Sequence, residues 1–215
     1  MEKWFDRRRV AALAVLVVLA GVGVFFAQQV ADKKEQEGKA ALYKIQKTFE
    51  EEEKGLPDSE KEPGSAIDVD ARFSKTVSEL NGLLSAKTAS ARVLYDAAMK
   101  LGTLYLDHLQ YEKAVSAIKS GADFAKSDFQ KASARFLLGV AQEQNRKFTE
   151  ALDAYQSGLA CKVDGLKGEL LLGAVRVSLK LNDKAKAAKF SEQLGKDMKG
   201  SKAAEAAEAL VKEAK

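Results

Sequence analysis

The chain has 215 residues, of which 46% are hydrophobic and 31% charged, enough for one domain with a core plus an appendage. Its 35 basic and 31 acidic side chains leave a net charge of +4. Half of that excess falls in residues 1–30, where Lys3, Arg7, Arg8 and Arg9 stand against Glu2 and Asp6. The rest is too nearly balanced to offer the concentrated basic face that nucleic acid requires, so nucleic acid is not an expected partner.

The first element is Val10 to Ala27, an apolar run of 18 residues without a charge. As a helix it spans about 27 Å, against roughly 30 Å of bilayer hydrocarbon. Gln28, Gln29 and Val30 complete residues 10–30 as a transmembrane signal-anchor, and Trp4, Phe5, Phe25 and Phe26 stand where interfacial aromatics sit. Arg7, Arg8 and Arg9 keep residues 1–9 cytoplasmic, so the chain beyond the anchor is translocated. In a bacterium that places a single-pass protein in the inner membrane with a periplasmic C-terminal domain. A cleaved signal peptide is the competing reading, although Phe25 or Gln29 would then occupy the position three before the cut, where a small residue belongs.

Residues 31–66 read as a spacer. Over 31–54 a helix continues the apolar one, with Ala41, Leu42, Ile45 and Phe49 on one stripe. GLPDSEKEPGSA, residues 55–66, holds both prolines of the chain and reads as a flexible loop. Asp68 is a candidate cap for a helix whose apolar face is Phe73, Val77, Leu80 and Leu84, and which can pair antiparallel with the spacer helix. Ala, Leu, Lys and Glu dominate throughout, so an all-α fold is expected.

From Ala89 the sequence repeats. Leu101, Gly102, Tyr111, Ala114, Ile118 and Gly121 recur 37 residues later as Leu138, Gly139, Phe148, Ala151, Tyr155 and Gly158. A third copy, with Leu172, Gly173 and Ala185, comes at a spacing of 34. Small residues let two antiparallel helices touch, and the large ones fill the space around them. Fixed self-similarity of this size signals a helical-hairpin solenoid, with repeats near 89–126, 127–160 and 163–197 and a capping helix over 201–215, all within a domain spanning 67–215. In the third copy Asn182 stands where the aromatic is expected.

These intervals resemble those of the tetratricopeptide repeat (TPR) superfamily. A basic N-terminus, one signal-anchor, a spacer helix and about three TPRs is similar to the architecture of the YfgM-like family of bacterial inner-membrane proteins, and ASARVLYDAAMKLGTLYLDHLQYEKAVSAI, residues 89–118, is similar in rhythm to its first repeat. That resemblance implies an ancillary subunit of the SecYEG translocon that meets periplasmic chaperones. The related CpoB-type domain implies instead an envelope and cell-division coordinator, and a cleaved N-terminus would give a secreted binding module.

A TPR groove is lined by the first helix of each repeat. Counting from each Leu-Gly pair projects Met99, Thr103 and Leu106, then Phe136, Val140 and Glu143, then Leu170, Ala174 and Val177, edged by Asp96, Asp107 and Lys167. This face suits an amphipathic helix or an apolar extended segment of a protein partner; the same residues could equally bury against one another. TPRs that clamp chaperone carboxylates place Lys and Asn where Met99 and Thr103 stand here. Homo-oligomers are possible through small residues such as Ala14, Gly21 and Gly23, though no GxxxG pair occurs.

Catalysis is not expected, nor is a cofactor. The one histidine, His108, and the one cysteine, Cys161, are too few and too far apart for a metal site, and a single Cys forms no disulfide within the chain. His108 reads as a surface or half-packed residue, and no phosphate-binding glycine loop or nucleophile elbow is present.

Overall fold

The computed structural model describes residues 7–214, with side chains from Val24 onward. The described residues are all-α and contain no strand. In chain order the helices are α1 (Arg7–Lys54), α2 (Asp58–Lys61), α3 (Val69–Arg72), α4 (Ser74–Ala86), α5 (Ala91–Asp107), α6 (Tyr111–Ala122), α7 (Asp128–Gln144), α8 (Phe148–Leu159), α9 (Asp164–Lys180), α10 (Lys184–Asp197) and α11 (Lys202–Glu213). Three hairpins, α5/α6, α7/α8 and α9/α10, stack side by side: α6 packs on α7, α8 on α9, and α11 closes the row against α9 and α10. The C-terminal half of α1 and α4 form a further antiparallel pair ahead of α5. They are held by the Glu52 carboxylate, which accepts the Lys75 and Thr76 N–H groups at 2.9 and 3.1 Å. Phe73 at the α4 N-cap offers no side-chain acceptor, so Glu52 supplies the missing cap from another helix.

The hairpins recur through their turns. Leu109, Arg146 and Asn182 all adopt left-handed backbone conformations, with φ of 61°, 57° and 59°. The residue after each has an N–H that reaches back five residues, Gln110 to Tyr105 O, Lys147 to Gln142 O and Asp183 to Ser178 O. Four residues after each of these comes a fully buried alanine, Ala114, Ala151 and Ala187. These landmarks fall 37 and then 36 residues apart, which corrects the spacing of 34 for the third copy. Asn182 is therefore the turn residue, a side chain that tolerates the left-handed region, and not a replaced aromatic. Ala187 is the counterpart of Ala151, whereas Ala185 is exposed.

The glycines predicted to permit helix contact do so. A Cβ on Gly102 would lie 2.5 Å from Ile118, and one on Gly139 2.5 Å from the Tyr155 ring. Two joined cores result, one around Phe73, Leu80, Leu101 and Ile118 and one around Tyr155, Leu171, Val175 and Leu194.

Residues 55–66, expected to be a flexible loop, are docked. Leu56 is buried, the short helix α2 forms, and Gly64 N–H donates to Asp107 O at 2.6 Å. Ser65 Oγ donates to Glu60 O at 2.9 Å, so its single proton is used. His108 Nδ1 must then carry a proton to reach Ser65 Oγ at 2.8 Å and Ser65 O at 3.2 Å. His108 is 5% exposed, a buried strut against Phe73 instead of the surface or half-packed residue expected. Sequence reading missed this because the partners lie 43 residues apart.

Helix α1 continues without a break from the packed domain back to Arg7. Gly38 marks where packing starts: its missing side chain admits Ala89 and Val93, and residues 24–34 are exposed on every side. Among the described residues no helix is long and apolar enough to cross a membrane. Most of the apolar run Val10–Ala27 lies outside the residues whose side chains are described.

Candidate partner-binding face

The first helices of the hairpins, α5, α7 and α9, lie next to one another, and α1 lies beside α5. Two cross-links fix their order. Tyr95 Oη on α5 donates to Gln130 O on α7 at 3.1 Å. Arg176 on α9 grips Glu143 on α7 with Nε and Nη2 at 2.9 and 2.8 Å, a bidentate, charge-assisted pair. Tyr155 Oη from α8 donates to the same carboxylate at 2.7 Å. Burial pushes the Tyr155 hydroxyl pKa upward, and the neighbouring Glu143 charge adds to that. Glu143 thus has both oxygens engaged and acts as a tie between three helices.

The outward stripe of each first helix repeats in the same register. On α5 Thr103 and Leu106 are half-buried, as are Phe136, Val140 and Glu143 on α7. Shifting by the 36-residue spacing carries the last three to Leu172, Arg176 and Leu179 on α9, all half-buried as well. The projected residues Leu170, Ala174 and Val177 are instead almost fully buried, at 1%, 0% and 0% exposure. The cause is geometric: a two-residue error turns a side chain by about 200° around a helix of 3.6 residues per turn. Leu170 faces back to α8, where its methyls fill the space left by Gly158. Met99 is also withdrawn from the face, because its terminal methyl occupies the notch at Gly121 of α6.

Beside Thr103 the face opens into a cleft of about 290 Å³, lined by Phe49, Lys100, Thr103, Leu104 and Asp107. Lys100 Nζ lies 5.2 Å from the centre of the Phe49 ring and donates to Gln46. Burial lowers the Lys100 pKa, partly offset by Glu50 and Glu53. Burial raises that of Asp107, partly offset by His108. Both charges are held where water solvates them poorly. Lys167, expected at the edge of the groove, is paired with Asp197 at 2.7 Å, and Asp96 is exposed on α5.

Sequence reasoning did not single out Phe49 and Lys100 on this face, nor Leu172, Arg176 and Leu179. The α9 residues could have been found from Asn182-Asp183, whose turn chemistry fixes the end of the helix two residues later than the Leu-Gly count implies. Phe49 could not, because the expected pairing of its helix with α4 did not include the contact of α1 with α5 that brings it to Lys100 and Thr103. Among the described residues no group of three His, Cys, Asp or Glu side chains could hold a metal ion.

These features define an all-α, helical-repeat-like fold with a mixed apolar and charged face on its first helices. Compared with protein-family models, curated proteins and solved structures, the chain matches none.

Proposed function

We propose that this chain is a membrane-anchored TPR-like scaffold that binds a protein segment along the first-helix face and has no catalytic role. The observation that carries the reading is the half-buried stripe Leu106, Phe136, Val140, Leu172 and Leu179, beside the Lys100 and Asp107 cleft. Apolar side chains left half in water along three adjacent helices suit an amphipathic helix or an extended segment. The matching turns recur at 37 and 36 residues, a little longer than the TPR unit of about 34 residues, and support a helical-hairpin repeat of TPR-like kind. The continuous α1 supports the anchor: its residues 24–34 are exposed on every side, and the uncharged run of the sequence lies on the same helix, where lipid would cover it. The resemblance of this architecture to the YfgM-like family adds the partner: a periplasmic scaffold ancillary to the Sec translocon.

Photo-crosslinking from Phe136, Val140 and Leu172 in intact membranes tests this, with Asp153 on α8 as the control position. Crosslinks from the three face positions to translocon subunits, periplasmic chaperones or emerging chains support it. Crosslinks to cell-division or envelope-synthesis proteins transfer the chain to the coordinator reading. Products from Asp153 alone overturn the assignment of the face.

A further inference from the structure

We propose that the edge of the domain formed by the turns α4–α5, α6–α7, α8–α9 and α10–α11 docks on an anionic phospholipid surface. This rests on the reading of α1 as a membrane anchor.

The four turns lie at one end of the hairpins, the end from which α1 departs. Gly38 of α1 meets Ala89 and Val93 at the α4–α5 turn, and the other end of the pair is fixed by Glu52 at the start of α4. Gly121, near the end of α6, packs on Ala98 and Met99 in the first half of α5, and Tyr95 there reaches Gln130 at the start of α7. Gly168 near the start of α9 meets Met198 and Ala203, in the turn and first residues that join α10 to α11. The antiparallel pairing of α7 with α8 places the α8–α9 turn on the same edge.

Each of these turns presents one exposed lysine: Lys87, Lys126, Lys162 and Lys199. None makes an ion pair among the described residues. Within the turns the one acidic residue is Asp123; of the acidic residues that begin or end the adjoining helices, Asp128 and Asp197 are paired with Lys131 and Lys167, which leaves Asp164. The opposite edge has the reverse sign. There Asp58, Glu60, Glu62, Asp68, Asp70 and Asp183 outnumber Lys61, Arg72, Arg146 and Lys147. The charge is therefore sorted between the two ends of the hairpins, although the domain as a whole is nearly neutral.

An apolar side chain accompanies the lysines. Phe129, in the first turn of α7, is 58% exposed beside Lys126. The distance also fits. From Val30 to Gly38 the helix rises about 12 Å. That is close to the depth of a headgroup layer plus one Debye length of roughly 8 Å. Lysines on this edge thus lie within electrostatic reach of the surface that α1 enters, where each multiplies the ratio of docked to undocked domain by about five. Phe129 is placed to enter the interface.

The test uses the full chain carrying Trp4→Phe and the reporter Phe129→Trp, reconstituted into vesicles of phosphatidylcholine alone or with phosphatidylglycerol. Both contain a headgroup spin-labelled lipid that quenches nearby tryptophan. Docking predicts strong quenching only in the anionic vesicles. That quenching should fall at least tenfold in docked-to-undocked ratio when Lys87, Lys126, Lys162 and Lys199 are all changed to Gln, and also at high salt. A reporter at Leu181→Trp, on the far edge, stays unquenched. If the chain resists carbonate extraction from the vesicles but Trp quenching is the same with and without anionic lipid, docking is overturned and the anchor stands. If carbonate strips the chain off, both readings fail.

Discussion

Tyr155 is the residue on which α7, α8 and α9 converge, and the two glycines around it give opposed expectations from helix propensity and from packing. Gly173 lies in α9, where alanine is intrinsically favoured by about 1 kcal/mol. A Cβ there would stand 2.5 to 2.7 Å from three carbons of the Tyr155 ring. The ring has little room to retreat, because it is also packed so close to Gly139 on α7 that a Cβ there would lie 2.5 to 2.9 Å from it, and its hydroxyl is held by Glu143. Overpacking of such a site costs about 1–3 kcal/mol, of which the propensity gain returns about 1 kcal/mol, so Gly173→Ala should lower stability by up to about 2 kcal/mol. Gly82 and Gly195 are helical glycines with nothing within 4 Å of an added Cβ. There only the propensity acts, and alanine should stabilise by up to about 1 kcal/mol. Urea unfolding of the full chain in detergent, monitored by circular dichroism, separates the two groups by the sign of the midpoint shift. Replacing Tyr155 by Leu in the Gly173→Ala background should recover part of the loss. A Gly173→Ala midpoint that rises like that of Gly82→Ala would refute the idea that Tyr155 is clamped.

Three other contacts carry expectations of their own. Glu52→Ala removes the only side-chain cap of the α4 N-terminus and should cost about 1 kcal/mol, read as a urea midpoint; an unchanged midpoint means that water caps α4 as well. His108→Ala releases Ser65 and should make residues 55–66 the first site of limited proteolysis, whereas cleavage unaltered in rate and place would show that the Gly64–Asp107 bond holds the segment alone. Asp107→Asn concerns pH. Burial raises the Asp107 pKa above its ordinary 3.8, so its charge is a burden on the fold at neutral pH, relieved as pH falls through the raised value. The Asn variant should therefore melt higher than the parent at pH 7, the difference closing toward pH 4. A lower melting temperature for the variant at pH 7 contradicts this.

The sequence by itself determined the elements whose cause is local. Helix formers, two neighbouring prolines and apolar stripes at helical spacing were enough for an all-α chain. The pairs Gly102–Ile118 and Gly139–Tyr155 were legible because two helices can approach only where bulk is absent and a large residue fills the gap. The 37-residue interval of the first two copies was legible for the same reason. Tertiary structure decided what depended on distant partners or on register. Residues 55–66 carry the composition of a loop, yet they are ordered by Asp107 and His108, side by side in space and more than forty residues away in sequence. In α9 the sequence offered Leu172-Gly173 as a match to Leu138-Gly139. The left-handed turn at Asn182 shows that the true counterpart is Ala174-Val175, which carries no Leu-Gly signature at all. Gly173 instead serves Tyr155 of the preceding hairpin. A two-residue shift on a helix exchanges its buried and exposed sides, so the same ambiguity that barely moved the helix boundaries moved Leu170, Ala174 and Val177 from the face into the core. The packing of α9 between α8 and α10 decides between them, and the turn pair Asn182-Asp183 is the local signal that points the same way.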